Sequence, residues 1–341
     1  MDARVAVVTS PGELRIETRP VAEPGPGEVL LRVHECGICG SDLKLLSGKH
    51  PVVKPPIRLG HEFYGSVEAL GAGEDGLEPG ALAAVFAPVG CGHCYACRRD
   101  LPHLCPEMEF IGGQRPGGLS EMVVVPAANL VPIGAEVPED RRVLVEPLAV
   151  GVHAARRARI APEDCVLVIG AGPIGLFTAL ALRARGVEEI LLADLSGERL
   201  ALARRLGAGD TVNTRDASLE DEVRSRVRPE GVDVAFDCVG LQATAADALR
   251  LTAKGGRVLL VGLMPADLRV DGVALQRGER ELVGVQQYVR EDYGTAMEIL
   301  ASGVLPATEE IVRSYRLEDA ATALRELAEG GTDVLKYAVR P

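Results

Sequence analysis

A chain of 341 residues exceeds the usual span of one hydrophobic core, so two domains are expected. With 47% hydrophobic residues it reads as globular, and 49 acidic against 37 basic residues leave a formal charge of -12 and no basic footprint for nucleic acid or an anionic membrane. Small soluble molecules are the expected partners, with no nucleic acid and no membrane.

The N-terminal "MDARVAVVTSPGELR" reads as a short strand and turn and lacks the basic region, apolar run and cleavage site of a signal peptide, so a cytoplasmic location is expected. "PVAEPGPGE" (20–28) is a loop inside the first domain. The first stretches that carry chemistry are "HECGICGSDLK" (34–44) and "LGHEFYG" (59–65), which offer a thiolate and an imidazole from separate segments. Cys39, His61 and one carboxylate would hold zinc with a fourth position open, as a catalytic zinc requires. Both Glu62 and Glu146 qualify as that carboxylate, and Cys36 competes as a ligand because Cys36-x2-Cys39 is itself a usable pair.

"GCGHCYACRRDLPHLC" (90–105) comes next. A reducing cytosol and a long chain argue against a disulfide framework for the eight cysteines. The spacing Cys91-x2-Cys94-x2-Cys97-x7-Cys105 lets a tight loop turn four thiolates inward, the closed tetrahedral set of a structural zinc. A redox pair, an iron–sulfur cluster, or His93 or His103 in place of a cysteine are the rival readings. A closed set has no position for substrate, so the reaction is expected elsewhere.

A helical segment from about Leu148 to Ile160 reads as the joint between domains. Beyond it, "CVLVIGAGPIGLFTALALRARG" places an apolar strand before Gly170-Ala-Gly172-Pro173-Ile174-Gly175 and an Ala/Leu-rich helix after it. The uncharged run Cys165 to Leu182 approaches membrane-spanning length, but "GAGPIG" interrupts it and makes strand, turn and helix the better reading. "EEILLAD" then ends in Asp194, an acceptor for the ribose hydroxyls that would repel a 2′-phosphate and favour NAD over NADP. Arg199 argues the other way, since a nearby guanidinium accommodates that phosphate. Strands at "DTVN" (210–213), "VDVAFDCVG" (232–240), "GGRVLLVGL" (255–263) and "RELVGVQ" (280–286) continue the β-α alternation of an α/β, doubly wound parallel sheet.

With the four-cysteine lobe, "GHE", "VEPLAVGVHA" and "GAGPIG" in this order, the whole chain resembles the zinc-containing medium-chain alcohol dehydrogenases. "EPL" and "CGICGSD" are similar to its sorbitol (polyol) dehydrogenase branch. The resemblance implies a GroES-like, mostly β catalytic domain from residues 1–147 and 289–341 and a Rossmann coenzyme domain from 148–288, with the active site in the cleft. It implies one catalytic and one structural zinc per chain, Cys39 and His61 as ligands of the first with Glu62 or Glu146, and Ser41 as the start of the proton relay.

The implied reaction is hydride transfer between a secondary alcohol of a polyol, cyclitol or amino-sugar-like compound and NAD, in a homodimer or homotetramer joined near residues 281–286. Three positions depart from the branch. Lys44 stands where relatives commonly carry a relay His, and Leu45 and Gln287 replace a Tyr and an Arg near the polyol, so specificity is expected to rest on Gln286, Gln287 and Tyr288. A zinc-free enone or quinone reductase of the same fold and a non-catalytic NAD-binding protein are the alternatives.

Overall fold

Continuous apolar strands in one half of the chain and alternating ones in the other produce two kinds of sheet. The computed structural model describes residues 1–50, 52–73, 76–305, 311–330 and 334–341. One compact unit comprises Met1–Glu146 with Val289–Ala301 and the C-terminal segment ending at Pro341; the other comprises Pro147–Tyr288 with a short addition that begins at Ser302.

In the second unit six parallel strands lie in the order Asp210–Asn213, Ile190–Asp194, Val166–Ile169, Val232–Asp237, Thr252–Leu260, Glu281–Gly284. Val166–Ile169 is buried throughout, as are the first four residues of Ile190–Asp194, because helices cover both faces of such a sheet. The strand order reverses between Val166–Ile169 and Val232–Asp237, and that switch point opens the crevice where this architecture takes its ligands. The turn after Val166–Ile169 leads into the helix Pro173–Ala184, whose proline sits in the first turn, where no N–H is needed.

The first unit is built on a seven-stranded sheet with the path Leu130–Pro132, Leu82–Val85, Glu62–Leu70, Glu28–Gly37, Lys336–Arg340, Val312–Arg316, and with Met122–Pro126 also pairing with Glu28–Gly37. Apolar side chains such as Val29, Leu31, Phe63, Val85 and Val339 fill its core. Three strands of this sheet, Glu62–Leu70, Glu28–Gly37 and Lys336–Arg340, lie side by side, and their upper ends carry the residues that matter below. Among the described residues no helix is long and apolar enough to cross a membrane.

Candidate active site

The strand Glu28–Gly37 runs into a turn whose Cys39 caps the short helix Gly40–Leu46, and the next strand in the sheet starts at Glu62, directly after His61. This brings one donor atom from each of Cys39, His61 and Glu62 within 4.8 Å of one another. His61 and Glu62 are buried and Cys39 is half-buried. Glu146, buried in the first turn of the helix Val145–Arg157, lies outside this set, although its charge reaches Lys336 and Cys36.

Cys36 is a core residue and not a competing ligand. Cys36 pairs across the sheet with Phe63, whereas Gly37 pairs with Glu62, so strand alternation turns the Cys36 thiol to the apolar face and leaves Glu62 on the other. Burial, with Asp42 and Glu62 nearby, pushes that thiol well above its usual range and keeps it protonated.

Motif spacing does not single out two residues that support the set. The first is Asp42, fully buried, whose Oδ2 accepts the Cys39 N–H at 2.9 Å while Oδ1 lies 3.5 Å from His61 Nδ1. The carboxylate thus lies on the Nδ1 side of the ring, while Nε2 faces Ser41. Burial opposes a charged His61, yet Asp42 and then Cys39 outweigh it and hold the imidazole well above its ordinary range. The capping position of Asp42, three residues after Cys39, is the signal that could have found it.

The second is Lys336, whose Nζ lies 2.6 Å from Glu62 Oε1 and 2.5 Å from Oε2, with both side chains almost fully buried. Burial opposes the ammonium, but Glu62 foremost, with Cys39 and Glu146, keeps it charged. Removing one partner of such a pair leaves the other charge uncompensated, at a cost of about 3–5 kcal/mol. No local signal points to Lys336, which is 274 residues from Glu62.

Ser41 Oγ lies 3.4 Å from His61 Nε2, on the donor side of the set, and the Phe110 ring packs 5.1 Å from the imidazole as an apolar neighbour. Lys44 is exposed in the last turn of the short helix, and no contact joins it to Cys39, His61 or Glu62 among the described residues. A relay through Lys44 has no geometric support. Leu45 points into the core of the first unit and is buried there.

Donor sulfurs of Cys91, Cys94, Cys97 and Cys105 also lie within 4.8 Å of one another. Backbone N–H groups aim at them: Cys97 N–H to Cys94 Sγ at 3.4 Å, Cys91 N–H to Cys105 Sγ at 3.4 Å and Glu107 N–H to Cys105 Sγ at 3.3 Å. The Cys97 N–H holds the Cys94 thiol down at about 7, whereas desolvation and the three neighbouring sulfurs push Cys97 up to about 12. Four thiolates in one shell need a cation among them, so this donor set fits zinc in a closed, structural site. His93 is exposed, with Nδ1 2.9 Å from the Cys91 carbonyl, and neither it nor His103 belongs to the four-sulfur set.

In the second unit Gly170 has φ 98, a left-handed conformation that favours glycine, and a Cβ there would meet Val239 Cγ2 at 2.7 Å across the crevice. A Cβ at Gly172 would face open space, and one at Gly175 would overlap the Gly170 carbonyl, so turn and helix pack as closely as a pyrophosphate cradle requires. Pro173 and Ile174 open the helix behind it. Asp194 ends its strand with Oδ2 accepting the Ala171 N–H and Oδ1 the Ser196 N–H, each at 2.8 Å, and Arg199 Nη1 stands 3.7 Å from Oδ2. After the edge strand Glu281–Gly284, Gln286 is exposed, Gln287 has φ 48 and a buried Oε1 without a hydrogen-bond partner, and Tyr288 is almost fully buried.

Comparison with known proteins agrees over the full length. Residues 25–139 match the alcohol dehydrogenase GroES-like domain and residues 173–302 the zinc-binding dehydrogenase family. An L-idonate 5-dehydrogenase of Vitis vinifera is 36% identical, over 94% of this chain and 90% of that protein. A sorbitol dehydrogenase of Bacillus subtilis is 31% identical over 99% and 97%. A zinc-binding dehydrogenase of Sinorhizobium meliloti, solved bound to NADP, superposes with a TM-score of 0.92 at 28% identity and covers both chains entirely. The chain is a zinc-dependent dehydrogenase of alcohols and belongs to the zinc-containing medium-chain alcohol dehydrogenase family.

Proposed function

We propose that the chain oxidises a secondary alcohol on a polyol, cyclitol or sugar-like compound to the ketone, with NAD as the preferred coenzyme. The observation that carries this reading is the Cys39–His61–Glu62 set, which among the described residues brings three protein donors together and so leaves a position for a substrate oxygen. Bound zinc supplies Lewis acidity that makes an alcohol hydroxyl acidic near neutral pH, and bound NAD supplies the hydride acceptor.

The chain's own residues do the rest. Cys39, His61 and Glu62 hold the metal, and Asp42 stands on the Nδ1 side of His61 while Nε2 faces Ser41. Ser41, beside that nitrogen, takes the hydroxyl proton. The glycine turn and the helix behind it bind the pyrophosphate, and Asp194 binds the ribose hydroxyls. Arg199 already faces the Asp194 carboxylate, which leaves it less able to serve a 2′-phosphate and favours NAD. Gln287 supports a polar substrate, because a left-handed backbone at a non-glycine residue together with an unmatched amide oxygen marks a side chain held for a ligand. A homodimer or homotetramer joined near the edge strand belongs to the same reading.

The test is NADH formation by the purified protein on a panel of polyols, cyclitols, amino sugars and simple secondary alcohols, with and without a zinc chelator and with NADP in parallel. A chelator-sensitive signal on one polyhydroxylated class, with NAD preferred, is expected. Metal-independent reduction of enones would replace this reading with the zinc-free reductase.

A further inference from the structure

We propose that Lys336 is a positioning residue that competes with the metal for Glu62, holding the carboxylate partly off the ion so that its third protein bond stays weak and the fourth position exchangeable. This rests on the reading that Cys39, His61 and Glu62 bind zinc.

The arrangement follows from register. Glu62, Gly37 and Ala338 stand in one row across three neighbouring strands, and Lys336, two residues before Ala338, shares their face. Lys336 therefore reaches Glu62 across the intervening strand, and the residue it crosses is a glycine. A Cβ at Gly37 would overlap Glu62 Oε2 and lie 3.2 Å from Lys336 Cε, so the absence of a side chain there is what lets the ion pair form.

The contact is two-sided: the ammonium lies 2.6 Å and 2.5 Å from the two carboxylate oxygens, one of which is also the donor atom grouped with Cys39 and His61. Lys336 and a metal thus share one carboxylate, and each draws it from the other. A positive charge at that distance subtracts from the pull of Glu62 on a cation, in surroundings where burial leaves little solvent screening.

The test uses the full-length protein loaded with zinc, with cobalt then substituted at the open site. Metal analysis comes first: two zinc ions per chain are expected, and a single ion confined to the cysteine lobe would overturn the reading of the open set itself. With two present, the Lys336→Met variant should release its open-site metal to a chelator about tenfold more slowly than the parent and show a shifted cobalt absorption spectrum. The same substitution in a Glu62→Gln background should change neither by more than about twofold. Parent-like release and spectrum in Lys336→Met, or an undiminished effect without the Glu62 charge, would overturn the proposal while leaving the zinc reading intact. Should Lys336→Met fail to fold, Lys336→Arg decides: its planar fork takes both oxygens more firmly, so the metal should leave faster than from the parent, and unchanged release would overturn the proposal.

Discussion

Between residues 91 and 105 four sulfurs are gathered by one loop and oriented by that loop's own N–H groups, whereas Cys39, His61 and Glu62 are supported by Asp42 beside them and by Lys336 from the far end of the chain. The lobe has four like donors and no open coordination position. The other set has three unlike donors, two of them buried and one half-buried, and a competing cation. A local, closed set gives its binding energy to the fold; a set assembled by a sheet can leave coordination incomplete, because the sheet and not the metal holds the donors in place.

Serine substitutions at one cysteine of each set give the largest expected contrast. Cys39→Ser should lower turnover by about 10³-fold or more, with metal content falling from two ions to one and the thermal midpoint little changed. Cys97→Ser should instead lose the lobe's zinc and lower the thermal midpoint, with catalysis falling only in step with the folded fraction. Metal analysis, thermal unfolding and steady-state rates on both variants check this. A Cys97→Ser protein that stays folded and thermally unchanged but is inactive would place the lobe in the chemistry and break the comparison.

Asp42→Asn tests the support of the open set at smaller amplitude. The amide keeps the shape and the hydrogen bond to Cys39 N–H but loses the charge behind His61 Nδ1. Zinc affinity at the open site and kcat should fall by about 10-fold to 100-fold, while the cysteine lobe keeps its metal. A change below about twofold would mean that packing alone orients the imidazole.

The lobe and the glycine turn were legible because their meaning is local. Gly170 and Gly172 sit between the strand Val166–Ile169 and the helix Pro173–Ala184, with Gly175 in that helix's first turn, and the four cysteines close one loop. Cys39 and His61 were legible as residue types. What spacing left open depends on register: the pairing of Glu28–Gly37 with Glu62–Leu70 shifts between Leu30 and Leu31 and again between Val33 and Glu35. Each slip exchanges the two faces, so counting along the strand does not tell whether Cys36 or Gly37 meets Glu62. The same register places Glu62 beside the thiolate and imidazole and lets a lysine near the C-terminus reach it across Gly37. Lys44 stands where relatives commonly carry a relay histidine, a departure that left the relay's path open, and the short helix leaves it in solvent.

The smallest expected effect concerns a histidine inside the lobe's own sequence. Cys91, His93 and Glu107 also bring donor atoms within 4.8 Å of one another, so among the described residues His93 is the imidazole placed to turn the all-sulfur set into a mixed one. Two features oppose that. His93 is exposed, and four sulfurs already complete a tetrahedral set without it. His93→Ala should therefore keep two zinc ions per chain and turnover within about twofold of the parent. Loss of the lobe's zinc in this variant would make the set three sulfurs and an imidazole, and the difference between the two metal sites would then rest on the competing Lys336 and not on the chemistry of the donors.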